Sequence, residues 1–267
     1  MVFSLFARVA RVRVTVGYAA IVTCVTVALV ILGPRIHDRV VRHASTNLHN
    51  LSHGHFGTLL DSAFVMDDGP IYVWLPGLLC VLALAELMWR SRRLVVAFAL
   101  GHIGATLVVA LGLTAAIELD WLPVSVSRAT DVGMSYGVMA VLGALTAAIP
   151  GRWRPAWIGW WLAVGLTVAV IGHDFTDVGH TVALVLGMLV STRFGHPARW
   201  TTSRYVLLVI SAAFGYLILA NTEPSTVVAA GVGALSALVA DRLTRRRLTR
   251  RAPALPTPVT AEPALQV

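Results

Sequence analysis

Apolar runs divide this chain from end to end, and several are about 17–25 residues long, enough to cross the hydrocarbon core of a bilayer. Eight spans fit the pattern, at roughly 14–32, 71–89, 94–117, 133–150, 157–171, 178–191, 205–220 and 226–240. Helices satisfy their own backbone polar groups in lipid, so the predicted fold is an all-α, polytopic membrane bundle. Composition agrees: 57% of residues are apolar, 13% are charged, and the mean hydropathy is +0.77. The first run follows Arg8, Arg11 and Arg13 as a signal peptide would. It is long, lacks a small-residue cleavage site and ends at Gly33-Pro34, so we read it as an uncleaved first helix.

A net charge of +8 invites a nucleic-acid reading, but the distribution of the charge argues against one. All 21 basic residues are arginine, and nearly all lie in short loops between the runs. With the amino terminus in the cytoplasm and all eight spans crossing, 17 arginines fall on the cytoplasmic side. Only Arg35, Arg39, Arg42 and Arg128 fall outside, three of them in the long segment 35–69 where charge counts least. The expectation is a multi-pass plasma-membrane protein with both termini cytoplasmic, its surroundings the lipid bilayer and no nucleic acid among its partners. Cys24 and Cys80 sit inside apolar runs and offer neither a disulfide framework nor a metal spacing.

Two short stretches open apolar runs at the outer face. Asp131-Val132-Gly133-Met134-Ser135-Tyr136-Gly137 begins the fourth span, and Asp177-Val178-Gly179-His180 begins the sixth. Hydropathy places Ser135 and His180 at similar depth on helices running inward. A serine hydroxyl becomes a nucleophile when a nearby base takes its proton, and histidine suits that role near neutral pH. Gly133 and Gly137 leave small surfaces four residues apart, and Gly179, Ala183 and Gly187 repeat the spacing around His180. The two helices are therefore expected to pack together with the polar pair between them. Against this stands a plainer reading, in which Ser135 is an interhelical hydrogen-bonder and His180 is wet at a helix mouth. Gly133-x-Ser135-x-Gly137 also matches the nucleophile elbow of soluble hydrolases, but no strand precedes it.

The same residues resemble the rhomboid family of intramembrane serine proteases. Gly133-Met134-Ser135-Tyr136 with Gly143 is similar to that family's serine motif, and Gly179-His180 with Ala183 and Gly187 to its histidine motif. Thr58 to Phe64 resembles the segment entering the family's second helix, and Glu86 the acidic residue ending it. The resemblance covers roughly residues 14–195. It implies a six-helix rhomboid-like core over 1–195 with an outer loop at 35–69, and an additional transmembrane hairpin over 204–240. The remaining residues, 241–267, read as a basic and then disordered cytoplasmic tail. It also implies that Ser135 is the nucleophile and His180 its general base, that the substrates or clients are single-span membrane proteins, and that no cofactor or metal takes part. The backbone N–H of Ser135 would serve as one oxyanion donor.

The sequence departs from the family in three places. The stretch 69–76, Gly-Pro-Ile-Tyr-Val-Trp-Leu-Pro, lacks the histidine and asparagine that supply oxyanion donors; Tyr72 and Trp74 are the candidate replacements. Ala183 replaces a motif glycine, and Met139 stands where many members carry a tyrosine against the histidine. Losing one oxyanion donor typically costs about two to three powers of ten in rate. A catalytically weak or inactive relative that binds membrane proteins is thus the alternative to a protease. A small transporter is disfavoured, since paired mid-membrane charges and clear inverted repeats are lacking. His49, His53 and His55 with Asp67-Asp68 have metal-compatible spacing but read better as a solvated loop. His102 reads as a core hydrogen-bonding residue. Asp174 and Asp177 flank His180 and are candidates to orient it.

Overall fold

The computed structural model describes residues 10–66, 71–172, 174–220 and 223–251. Every regular element among them is helical. Helix α1 (Arg13–Leu32) follows a 3-10 turn at Ala10–Val12. Three short helices come next: α2 (Pro34–Ala44), α3 (Leu48–Ser52) and α4 (Thr58–Asp61). Then come α5 (Ile71–Trp89), α6 (Ser91–Glu118), α7 (Ser135–Ala144), α8 (Arg154–Ile171), α9 (Phe175–Ser191), α10 (Thr202–Leu219) and α11 (Glu223–Arg251). Six helices are long and apolar enough to cross a membrane; α7 with the 3-10 turn at Leu145–Ala147, and α9, are shorter. The chain is an all-α polytopic membrane protein.

The breaks between helices follow from local chemistry. Gly33 takes a φ of +86°, which favours glycine, and Pro34 starts α2 with its φ preset and no N–H to satisfy. Arg90 alone separates α5 from α6, with a φ of +71° that turns the chain in one residue. The segment 35–66, expected as a loop, instead holds three helices. The first of them buries Val41 and Ala44 against Leu29 and Val65.

The short helix α7 is the centre of the bundle. Every residue from Tyr136 to Leu145 is buried, as expected of a helix apolar on all sides. With the 3-10 turn that continues it to Ala147 it rises only about 21 Å, short of a hydrocarbon core about 30 Å thick. Its far end is fixed at the arginine-rich end of the bundle. There Trp200 Nε1 donates to the Ala148 carbonyl at 2.9 Å, and Arg154 Nη2 donates to the Ala147 and Ile149 carbonyls at 3.0 and 3.1 Å.

Close backbone approach holds α7 between α6 and α9. A Cβ on Gly143 would fall on the Leu184 carbonyl, one on Gly187 on the Ala140 carbonyl, and one on Gly101 on the Ala140 side chain. Of the glycines expected to form the α7–α9 contact, Gly187 and Gly179 do meet α7, but the two at the start of α7 do not meet α9. Gly137 meets the Phe98 ring of α6, and Gly133 has no heavy atom near its missing Cβ. Spacing alone shows that two small residues share a helix face, without fixing which neighbour that face meets.

The helices after residue 195 pack onto the rest. Gly77 of α5 accommodates the Phe214 ring, Gly215 of α10 accommodates Leu142 of α7, and Gly159 of α8 lies against Ser236 and Ala240 of α11. Helix α11 runs on to Arg251, so the basic segment expected to follow a span ending near residue 240 is itself helical. The expected disordered tail, 252–267, lies outside the described residues, as do Asp67-Asp68 and Gly69-Pro70.

Candidate active site

Ser135 is the first residue of α7 and His180 lies in the second turn of α9, and the two line one cavity of about 280 Å³. Met66, Trp74, Asp131, Met134 and Thr176 also line it. The imidazole of His180 is 7% exposed, and neither Nδ1 nor Nε2 has a hydrogen-bond partner. The hydrogen bond expected between Ser135 and His180 is therefore not formed, although both groups face the same space. A buried ring with two unpartnered nitrogens calls for an explanation, and a cavity that admits a ligand supplies one.

The sequence reading missed the residue that orients this ring. The Tyr136 ring meets the imidazole edge-on, with centroids 5.2 Å apart and planes at 78°. Gly179 makes the contact possible, because a Cβ there would strike the Tyr136 ring. Met139, where the expected stacking tyrosine is missing, is fully buried in the core. An aromatic immediately after Ser135 was the available signal, since the first turn of α7 faces α9. Neither aspartate expected to orient His180 bonds to it. Asp174 caps α9 by accepting the Thr176 N–H at 3.0 Å, and the Asp177 carboxylate packs over Gly172 at the end of α8.

Uncommitted backbone donors lie at the helix start. The first N–H groups of α7 have no carbonyl one turn earlier, and the residue capping it, Met134, offers no side-chain acceptor. The N–H of Ser135 is among them, at the positive end of the helix dipole. Of the two side chains proposed as replacement donors, only Trp74 lines the cavity, with its ring against Phe214 at 5.5 Å. Tyr72 is 76% exposed on the outside of the bundle, since residues two apart on a helix point in nearly opposite directions.

The loop that presents Ser135 is tied down from the outer segment. Gly133, at a φ of +115°, donates its N–H to the Ser62 carbonyl at 2.8 Å. Asp131 donates its N–H to Ser45 Oγ at 2.9 Å and accepts the Thr46 N–H at 2.8 Å. Behind this layer Thr46 Oγ1 donates to Ser62 Oγ at 2.8 Å, and Ser62 Oγ lies 3.1 Å from His102 Nε2. His102 thus fills the core hydrogen-bonding role expected of it. Ser62 and His102 form a second serine–histidine pair, 1% and 4% exposed, behind the loop that carries Ser135. The half-buried Asp131 carboxyl also faces the cavity. Burial first, and then the nearby Asp174 carboxylate, push its pKa up to about 7.

Away from the cavity, the His49 and His53 rings lie at 51° with centroids 4.4 Å apart, His53 exposed and His49 half-buried. Among the described residues no group of three histidine, cysteine or acidic side chains is placed to hold a metal ion.

The fold and the cavity define a class: a helical multi-pass membrane protein that turns a serine and a histidine toward one recess in its bundle. A family model described as rhomboid-like protein matches residues 8–195, and the chain belongs to that family. No curated protein and no solved structure matches it.

Proposed function

We propose that this chain is an intramembrane serine peptidase that cuts single-span membrane proteins near the outer membrane face. The observation that carries the reading is the shared recess: Ser135 and His180 line it together, and both imidazole nitrogens are free of protein partners. In this mechanism substrate entry brings Ser135 Oγ within hydrogen-bond reach of His180, which takes its proton as Oγ attacks a peptide carbonyl. The negative oxygen that forms meets the N–H of Ser135 and the dipole of α7. His180 returns the proton to the leaving amine, leaving an acyl-enzyme on Ser135. A water entering the recess then gives up a proton to His180 as it attacks the acyl carbon; the bond to Ser135 Oγ breaks, His180 returns the proton to Oγ, and the second product leaves as a carboxylic acid. The membrane placement belongs to the same proposal: both termini in the cytoplasm of a plasma-membrane protein, and the recess facing outward, as the arginine asymmetry favours.

Two observations favour the alternative, a weak or inactive relative that binds membrane segments. Ser135 and His180 make no hydrogen bond, and Tyr72 does not reach the recess as a donor. Proteoliposomes holding the full chain and a library of fluorogenic single-span peptides separate the two readings. The peptidase reading expects cleavage by the wild type, abolished in both Ser135→Ala and His180→Ala. Absence of cleavage across the library, or cleavage that persists in Ser135→Ala, rejects it.

A further inference from the structure

A cavity of about 620 Å³ opens at the arginine-rich end of the bundle, where α1, α5, α6 and α10 converge. Arg11 and Arg13 reach it from the start of the first helix, Arg90 and Arg92 from the corner between α5 and α6, and Arg204 from the first turn of α10. One acidic residue, Glu86, lines it, and its carboxylate is already committed. That carboxylate accepts the N–H groups of Val14 and Thr15 at 3.1 and 2.9 Å and the hydroxyls of Thr15 and Ser91 at 2.8 and 2.6 Å. Arg204 donates to the carbonyls of Leu87 and Arg199. No hydrogen bond or ion pair to another described residue engages the guanidinium groups of Arg11, Arg13, Arg90 or Arg92.

Orienting the chain in a membrane requires arginines in the short loops, but not their convergence on one void. The single-residue turn at Arg90, with its φ of +71°, sets Arg90 and Arg92 beside each other at that void. Like charges gathered around a cavity repel, and a counter-ion within it reverses the sign of the interaction. Guanidinium forks match the oxygens of a phosphate, which they bind through paired charge-assisted hydrogen bonds.

We propose that this cavity binds a phosphate group, carried by an anionic phospholipid headgroup of the adjoining leaflet or by a soluble phosphate. The bound group ties the start of α1 and the start of α10 to the corner between α5 and α6.

The test uses the full chain in phosphatidylcholine nanodiscs and follows its thermal unfolding midpoint in two arms. In one, phosphatidylglycerol is mixed into the disc; in the other, inorganic phosphate is added at ionic strength matched with chloride. The wild type is expected to gain several degrees in one arm, about 2–4 °C for each fivefold excess over the dissociation constant. A gain with phosphatidylglycerol identifies the headgroup, and a gain with inorganic phosphate identifies the soluble ion. Arg13→Gln with Arg92→Gln is expected to lose the gain, as is Arg11→Gln with Arg90→Gln, a second variant in case the first is not recovered folded. Arg245→Gln with Arg246→Gln on α11, equal in charge removed, is expected to keep it. No gain in either arm, a gain retained by the cavity variants, or a gain lost equally in the α11 variant overturns the proposal.

Discussion

Desolvated polar groups without partners are uncommon, and His180 has two of them on one ring. Tyr136 meets the ring edge-to-face, and both buried nitrogens are without a partner. Asp131 is the second unusual group at the recess. Its carboxyl ionises near 7 in the folded chain, against an ordinary value of about 3.9. The folded state therefore keeps a proton that the unfolded chain has lost between those values. Its contribution to stability is fully present below about pH 4, falls as pH rises toward 7 and is flat above. Asp131→Asn cannot ionise, so its midpoint-against-pH curve is expected to be flatter over that window and to lie above the wild type at pH 8. Parallel curves for the two proteins would contradict this assignment. His102 acts at one remove, holding Ser62 and through it the Gly133 N–H. Removing one partner of a buried hydrogen bond costs about 1–3 kcal/mol, so His102→Ala is expected to slow phosphonate labelling of Ser135 about tenfold. His102→Gln, whose amide can still reach Ser62 Oγ, is expected to restore most of the rate. Equal loss in both variants would show that bulk, rather than this bond, is what matters.

At the scale of elements, the short helix α7 begins at the cavity with Ser135, and three glycine contacts set its position. Gly143→Ala would place a methyl on the Leu184 carbonyl, a backbone atom that cannot swing aside. Overpacking of this kind costs about 1–3 kcal/mol, visible as a lower thermal midpoint in detergent. Gly17→Ala, where nothing lies within 4 Å, is expected to leave the midpoint unchanged or raise it. The spans were legible because lipid imposes an apolar length, and that length is written residue by residue. The recess of Ser135 was less so. An apolar run of 133–150 reads as a full crossing, whereas the helix occupies only Ser135–Ala147, its last turn 3-10, and the chain before it is bonded to Ser45, Thr46 and Ser62. The helices within 35–66 were hidden for a related reason. They lie outside any apolar run and are held by contacts such as Val41 with Leu29, which join distant parts of the chain.

Across the whole molecule, the arginine-rich end carries the anchors and the opposite end carries the recess. Trp200, Arg154 and Arg204 tie loops to helix ends at the first, and Ser45, Thr46 and Ser62 tie the Ser135 loop at the second. That Ser135 and His180 line one cavity was readable from two motifs placed alike at the starts of apolar runs. Tyr136 as the partner of His180, and Ser62 with His102 as the support of Gly133, depend on which helix faces touch, and one chain's pattern does not specify that. The central claim is that Ser135 is a nucleophile activated by His180. It is tested most directly by treating the full chain in membranes with a serine-reactive fluorophosphonate and locating the adduct by mass spectrometry, beside Ser135→Ala and His180→Ala. The expected result is a single adduct on Ser135, absent from both variants. An unlabelled wild type, or one labelled as fast as His180→Ala, would contradict it.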